Sequence, residues 1–202
     1  MVQQHADWIL GFEDETGWSR FAQPRLSTWT DLDQPLRLVE QVKPADDPDR
    51  TALACYGLLA RFQADDSQSQ EQLWLRFVQD RPVSAVTIQF LQGGCAKAEA
   101  LGKSVLVISW DNASWHISKA VRQWVHQHNR LVKRSGQGVR LLVCPLPVKS
   151  PWLNPIEPKW AHGKRRIAEA GRTLSAQETM ERVCATFDCP LEDHLAIPEK
   201  VA

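Results

Sequence analysis

The sequence lacks several features that would assign a class of protein at once. Its longest unbroken apolar stretch, VLVISW at Val105–Trp110, is far shorter than the roughly 20 residues that cross a membrane. The N-terminal stretch MVQQHADW has no apolar segment of the kind found in signal peptides. The formal net charge is zero, and there is one tyrosine against nine tryptophans. The sequence therefore argues against a helical membrane protein and a secreted precursor, and predicts a cytoplasmic protein.

Cysteine usage also argues against disulfides and against a zinc site. The five cysteines are odd in number and scattered over 202 residues, which favours a reduced intracellular protein. Cys184, Cys189 and His194 could be imagined as zinc ligands, but their spacing is poor and a fourth ligand is lacking. Buried free thiols are the favoured interpretation, because free cysteine is commonly buried.

The zero net charge hides an uneven distribution. Residues 1–101 carry 9 basic and 15 acidic side chains, whereas residues 102–202 carry 15 basic and 9 acidic ones. Within Lys103–Arg172 there are 13 basic and 3 acidic side chains, the acids being Asp111, Glu157 and Glu169. Such a field suits a polyanionic partner. Carboxylates isolated in a basic surface are what a metal-dependent phosphate chemistry needs, while a solvated basic face with incidental acids is the plainer alternative.

Periodicity predicts three strands in the first part of the chain. DWILGFEDETGWSRF is typical of two strands joined by a tight turn at Thr16-Gly17. On the first strand Asp14 ends an otherwise apolar face, while Glu13 and Glu15 point the other way. Thr51–Phe62 is the third strand, and the stretch ADDSQSQEQ that follows it reads as a polar connector.

The second part of the chain alternates helices and strands. A helix is predicted over much of Val83–Ala100, and Val105–Trp110 is a continuously apolar strand covered on both faces. The later elements are a helix after Asp111-Asn112, a basic loop at Asn129–Gly138, the strand VRLLVCP, a helix from Pro155 and a last helix with a capping box at Ser175 to Glu178. Three antiparallel strands followed by alternating units predict an α/β protein: a mixed sheet with helices on both faces.

The stretch SPWLNPIEPKW is typical of a helix start. Asn154 is a good N-cap residue, and Pro155 suits the first helical position. Glu157 then falls three residues after the cap, where it can reach back to a free backbone N–H. A local capping role is therefore the plain interpretation of Glu157.

Three carboxylates stand at the ends of predicted elements. Asp14 and Asp111 end strands, and Glu157 opens a helix. In such sheets, sites form at the carboxyl ends of central strands. Mg²⁺ prefers oxygen ligands, and paired ions about 3.5–4 Å apart can clamp the attacking and leaving oxygens of a phosphoryl displacement. The spacing of these residues alone is a weak signal for such a site.

Longer motifs make that signal specific. SWDNASWHIS, followed by SPWLNPIEPKW, resembles the second and third signature blocks of the mariner-type DDE transposases, and their bacterial insertion-sequence relatives in particular. GFEDETGWS resembles the first block. The resemblance covers nearly the whole chain and implies a ribonuclease-H-like fold, with Asp14, Asp111 and Glu157 as the catalytic and metal-binding triad. The capping role of Glu157 is compatible with catalysis, because a rigid helix start would hold its carboxylate in place.

The resemblance also implies a cofactor, a partner and supporting residues. Two Mg²⁺ ions, or Mn²⁺ as a substitute, would serve cleavage of a DNA phosphodiester and transfer of the freed 3′-OH to target DNA. Supporting roles would fall to Asn112, His116 and Asn154, although purely local hydrogen bonding is the plainer role of His116. The candidate contacts to the DNA backbone, each with a solvated surface as its alternative, are Lys149, Lys159, Lys164, Arg165 and Arg166.

Two features depart from the family pattern. Between Asp111 and Glu157 lie 45 residues, more than the usual gap, and the excess is expected in the loop Asn129–Gly138. The first catalytic strand begins within ten residues of Met1, so no N-terminal helix-turn-helix domain is expected. Residues 1–172 would form the catalytic domain, with residues 173–202 as a helix and tail packed on it.

The expected working form is a homodimer on DNA, associated with the bacterial nucleoid and served by a separately encoded DNA-binding polypeptide. Two other functions stay open. A catalytically inactive remnant would bind DNA or regulate transposition. A ribonuclease-H-like cellular nuclease would cleave nucleic acid without transposing it.

Overall fold

A computed structural model of the protein describes residues 5–21, 27–29, 35–37, 43–64, 68–79, 81–167 and 172–197. The strands are β1 (Trp8–Ser19), β2 (Ser27–Trp29), β3 (Pro35–Arg37), β4 (Ala52–Gln63), β5 (Ser69–Phe77), β6 (Val105–Trp110) and β7 (Arg140–Pro145). The helices are α1 (Ser84–Ala100), α2 (Lys119–Ser135), α3 (Glu157–Ile167) and α4 (Ala176–Thr186). Within these ranges, no helix has the length and apolar character needed to cross a membrane.

Five of the strands form one mixed sheet in the order β5-β4-β1-β6-β7. β4 pairs antiparallel with both β1 and β5, whereas β6 runs parallel to both β1 and β7. Parallel neighbours need a crossover connection, and α2 provides one between β6 and β7. The predicted arrangement of three antiparallel strands followed by helix–strand units is confirmed, but the three strands are β1, β4 and β5, whereas the sequence predicted two of them within residues 7–21.

Helices cover both faces of this sheet. On one face α1 and α2 pack over a core that includes Ile9, Tyr56 and Leu106. On the other face α3 and α4 pack over a second core that includes Trp18 and Trp160. The predicted burial of β6 on both faces follows from this sandwich, and none of its six residues is exposed.

β1 is one strand of 12 residues, so the predicted hairpin is wrong. Thr16 and Gly17 stay paired with β4, and Trp18 beyond them is only 1% exposed. Burial of an indole removes a large apolar area from water and outweighs the turn preference of Gly17.

The predicted polar connector is also wrong in part. Ser69–Gln72 begin the edge strand β5, and their backbone pairs with β4 although their side chains are exposed.

α2 runs through most of the predicted basic loop at Asn129–Gly138. It ends only at Gly136, whose φ of 68° suits a helix C-terminus. Asn129 joins the helix to β7, because its side chain donates to the carbonyl of Leu141 at 2.7 Å and accepts from the N–H of Leu141 at 2.9 Å. The basic residues of this stretch are exposed on the helix, so most of the predicted loop is helical.

Gly57 of β4 lies directly under the indole of Trp160. A Cβ at Gly57 would lie 2.3 Å from Cη2 of Trp160 and 3.2 Å from Cδ1 of Ile156. We expect Gly57→Ala to lower the free energy of unfolding by about 1–3 kcal/mol, because the core would be overpacked. Urea denaturation measures this change. Gly17→Ala is the matched control, since a Cβ there would meet nothing within 4 Å, and equal stability of the two variants would contradict this packing.

Candidate functional site

Three carboxylates from three separate elements line one cleft of about 360 Å³. Asp14 comes from β1, Asp111 follows β6, and Glu157 is the first residue of α3. The structure therefore brings these three residues together at one cleft, as the sequence predicts. The other lining residues are Asn112, Ala113, Leu146, Pro147, Val148, Lys149, Ser150, Pro151 and Asn154.

Asp14 lies in the middle of β1, which corrects its predicted place at a strand end. β6 pairs with β1 only from Trp8 to Phe12. Beyond Phe12 that edge of β1 is left without β6, while the other edge still pairs Asp14 with Gly57 of β4. The carboxylate thus reaches a cleft that opens where the neighbouring strand stops, as sites in such sheets commonly do.

The electrostatics of Asp14 suit a cation. Burial, and next the charge of Glu157, raise the pKa of Asp14 to about 7, although the indole N–H of Trp160 donates to its Oδ2 at 2.8 Å and opposes the shift. Repulsion between the two carboxylates is thus the second cause of the rise, after burial. Carboxylate oxygens with surplus negative charge are the ligands that Mg²⁺ prefers, so these residues fit that ion.

Two hydrogen bonds orient the carboxylate of Asp111. Its side chain is 56% exposed, and its Oδ1 accepts from the N–H of Ala113 at 2.8 Å and from Nδ1 of His116 at 2.9 Å. Two donors on one oxygen fix the orientation of the carboxylate. The neighbouring Asn112 donates from Nδ2 to the carbonyl of Leu146 at 2.8 Å, which ties the end of β6 to the loop after β7.

The helix start at Glu157 differs from the predicted capping box. The backbone N–H of Asn154 already donates to the carbonyl of Pro151 at 2.8 Å, so Glu157 has no free donor there to reach back to. Asn154 still organises this turn, because its Oδ1 accepts from the N–H of Ile156 at 3.5 Å and its Nδ2 donates to the carbonyl of Glu13 at 2.9 Å. The second bond joins the start of α3 to β1 beside Asp14, which places Glu157 at the same cleft.

The basic residues predicted to contact DNA fall into three groups. Lys149 lines the cleft, in a turn where its φ is 59°. Lys159 forms an ion pair with Glu71 of β5 at 2.7 Å, so its charge is already partly matched. The other three, exposed in the last turn of α3, are Lys164, Arg165 and Arg166.

A second polar cluster, not predicted from the sequence, lies on the opposite face of β1. Nε2 of His116 lies 3.0 Å from Oε1 of Glu15 and 3.1 Å from Oε2 of Glu13. Burial, and next the charge of Glu15, raise the pKa of Glu13 well above its ordinary value. Burial acts to lower the pKa of His116, but the hydrogen bonds and charges of Glu15 and Asp111 outweigh it and raise that pKa. The alternation in the stretch EDE was the one sequence signal that set Glu13 and Glu15 apart from Asp14.

Comparison with known families agrees with the geometry of the cleft. The family model described as DDE superfamily endonuclease matches residues 65–181, more than half of the chain. The chain belongs to this family. The matched segment includes Asp111 and Glu157, while Asp14 lies before it. No curated protein matches the sequence of this DDE endonuclease.

Solved structures show the fold of the DDE endonuclease. The structure titled Mos1 transposase paired-end complex with left transposon end matches with a TM-score of 0.59 and 17% identity, over 94% of this chain and 50% of that one. The Mos1 strand transfer complex matches with a TM-score of 0.53 and 18% identity, over 92% and 48%. The predicted ribonuclease-H-like fold is thereby confirmed, and this chain spans about half the length of the structures it matches.

Proposed function

We propose that this DDE endonuclease is the catalytic domain of a DNA transposase, which cleaves a DNA phosphodiester bond and joins the freed 3′-OH to target DNA. The observation that carries the proposal is the convergence of Asp14, Asp111 and Glu157 on one cleft. The fold does not require three carboxylates at one cleft, and the repulsion among their negative charges disfavours such an arrangement. The family match and the fold shared with Mos1 transposase support the same assignment.

We assign two Mg²⁺ ions to the cleft, with Mn²⁺ as a substitute, and the ligands are Asp14, Asp111 and Glu157. When bound, such ions neutralise phosphate charge and lower the pKa of a coordinated water. Other residues of the chain hold these carboxylates in position. His116 orients Asp111, Trp160 orients Asp14 through its indole N–H, and Asn154 sets where α3 starts relative to β1.

DNA would lie across the cleft and along the exposed end of α3. Lys149 at the cleft and the three basic residues Lys164, Arg165 and Arg166 offer charge to the phosphates on either side of the reacting one. We expect Lys159 to contribute less to DNA binding, because it already forms an ion pair with Glu71.

In domain terms, we place the catalytic domain at residues 1–172, with the last helix and tail of residues 173–202 packed on it. The packing of α4 supports this placement of the last helix, because α4 shares one core with α3 and β1.

The active complex would be a homodimer on DNA in the bacterial nucleoid. We assign recognition of the element ends to a DNA-binding region outside these 202 residues, because the matched transposase chains are about twice as long.

We expect the purified chain to nick supercoiled plasmid DNA when Mg²⁺ or Mn²⁺ is added and to be inactive in EDTA. Gel conversion of supercoiled to open-circular DNA measures the reaction, and an RNA–DNA hybrid run in parallel tests the cellular ribonuclease alternative. Cleavage restricted to the hybrid would favour that nuclease. Tight DNA binding without any cleavage would favour the inactive remnant.

We also expect DNA binding by this chain to be driven by charge, with little preference among sequences. Each phosphate contact lowers the logarithm of the binding constant by about 0.9 per log unit of salt. Replacing Lys164, Arg165 and Arg166 together with alanine should therefore reduce the salt slope by up to about 3, because phosphate contacts position the DNA without reading it. Fluorescence anisotropy across a salt series measures the slope.

A triple variant on the other face of the sheet controls for the loss of charge. Arg130, Lys133 and Arg134 are exposed on α2, which packs opposite α3. Their replacement should leave the slope nearly unchanged. Equal slopes for the two triple variants, or strong discrimination between a terminal-repeat duplex and a scrambled one at high salt, would contradict this binding mode.

A further inference from the structure

The cluster of Glu13, Glu15 and His116 lies buried on the face of β1 that points away from the cleft. Glu13 is 1% exposed and His116 is 2% exposed. None of the described residues gives a hydrogen bond to either carboxylate oxygen of Glu13, although Nε2 of His116 lies 3.1 Å from its Oε2. A buried carboxylate without a donor is strongly unfavourable unless a positive charge meets it.

The three side chains offer ligand atoms at the spacing of a metal site. One atom from each, a carboxylate oxygen of Glu13 and of Glu15 and a ring nitrogen of His116, lies within 4.8 Å of the other two. Two of the separations are 3.0 and 3.1 Å. Neighbouring ligands of a six-coordinate ion with bonds of about 2.1 Å are about 3 Å apart. Among the described residues, this is the one such group of His, Cys, Asp and Glu.

The hydrogen bonds around His116 leave its Nε2 suited to coordinate. Its Nδ1 lies 2.9 Å from Oδ1 of Asp111, so a proton on Nδ1 has an acceptor there and Nε2 can then bind a metal. Histidines that bind metals commonly donate their other ring N–H to a carboxylate. Trp110 stacks on the imidazole at 4.6 Å, and Nε1 of Trp115 donates to Oε1 of Glu15 at 2.7 Å, so both side chains are held in place.

A protonated His116 would not satisfy the cluster equally well. An imidazolium has a single N–H at Nε2, and Glu15 and Glu13 lie at nearly equal distances from that nitrogen. A proton directed at Glu15 leaves Glu13 without a donor, and a proton on one oxygen of Glu13 still leaves its other oxygen without one. A divalent ion bonds to both carboxylates and to the ring nitrogen at once, and it balances the two negative charges.

We propose that Glu13, Glu15 and His116 bind one divalent first-row transition metal, of the class of Zn²⁺ or Mn²⁺, in a structural site separate from the cleft. A nitrogen ligand among carboxylates favours these ions over Mg²⁺. The ion ties β1 to the segment after β6, and through His116 it anchors the carboxylate of Asp111. The site does not depend on the proposed DNA cleavage.

Metal analysis tests the site in the full chain. The Glu157→Gln variant serves as the background, because it weakens the cleft and leaves the buried cluster intact. After incubation with Zn²⁺ and removal of free metal, we expect about one equivalent per chain in this background and a loss of that equivalent when Glu13→Gln is added. At a hundredfold excess over Kd, Zn²⁺ should raise the Tm by about 5 °C or more in the background alone, and Mg²⁺ should not reproduce the shift.

A second measurement avoids altering the cluster, because Glu13→Gln by itself risks unfolding the protein. Mn²⁺ bound to the Glu157→Gln variant should show a directly coordinated imidazole nitrogen in pulsed EPR, whereas the residues that line the cleft include no histidine. Zn²⁺ uptake that survives Glu13→Gln, or bound Mn²⁺ without nitrogen coupling, would overturn the proposal and show that protons neutralise the cluster. Zinc retention in a chain that fails to nick DNA would support this site and count against cleavage alone.

Discussion

Replacing Glu157 with glutamine should lower the rate of metal-dependent DNA nicking by at least about a thousandfold. Loss of a residue that merely supports a metal ligand costs about 10–100-fold, and Glu157 is assigned as a ligand itself. The fold should survive, because α3 begins through the backbone N–H of Glu157, which donates to the carbonyl of Asn154 at 3.2 Å. Glutamine keeps that bond and the shape of the side chain while removing its charge.

Single-turnover nicking of plasmid DNA measures the loss, and circular dichroism verifies the fold. Glu181→Gln is the matched control, since it removes the same charge from an exposed position of α4 and should leave the rate unchanged. Asp111→Asn should cost as much as Glu157→Gln, and the double variant little more than either, because residues that act as a unit are not additive. A Glu157→Gln protein that nicks at the wild-type rate would remove Glu157 from the site.

Features that depend on neighbours in sequence were predictable. β6 and Asp111 follow from a continuous apolar run that stops abruptly at a polar pair, and the structure has that strand at Val105–Trp110. The last helix follows from its cap, because Oγ of Ser175 accepts from the N–H of Glu178 at 3.1 Å, which is the N-cap bond of the predicted capping box. These contacts span three or four residues, so a local pattern contains them.

Contacts between distant segments decided where prediction failed. β1 continues past Gly17 because Trp18 packs against Trp160 and Phe187, with ring centroids 5.8 and 5.9 Å away. α2 continues through a basic stretch because Asn129 binds the backbone of β7. Turn and charge preferences are weak compared with such tertiary contacts.

The candidate site also combines features that local sequence predicts with features that depend on distant contacts. The motifs around Asp111 and Glu157 were recognisable, but the position of Asp14 inside a strand depends on β6 being shorter than β1. Alternation separated Glu13 and Glu15 from Asp14, yet nothing local indicated that His116 would meet them. That contact requires the parallel register of β1 with β6 and the turn after Trp110, both of which are properties of the folded sheet.

Without metal, the protein should lose stability as pH rises from about 4 to about 7. The pKa of Asp14 is about 7 in the folded protein and near 3.9 in an unfolded chain, so the folded state binds the proton more tightly across this window. Stability falls with pH wherever the folded state binds more protons, so the contribution of Asp14 is full below about pH 4 and is lost through pH 7. The loss should be on the order of 2–4 kcal/mol, below the full value of the pKa difference because Asp14 is only partly buried.

Asp14→Asn isolates this effect, because asparagine still offers an oxygen to the indole N–H of Trp160 but does not titrate. Glu13 also has a raised pKa, and because the charge of Asp14 is one of its smaller causes after burial and Glu15, the difference between the two proteins includes a smaller change in the contribution of Glu13. Mg²⁺ should take the place of the proton, so the stabilisation by saturating Mg²⁺ should grow as pH rises through 7 in the wild type and stay small in Asp14→Asn. Urea denaturation at pH 5 to 8, in EDTA and in Mg²⁺, measures both trends. Identical pH slopes for the two proteins would show that neither burial nor the charge of Glu157 raises the pKa of Asp14, and would contradict a shared cation site at this cleft.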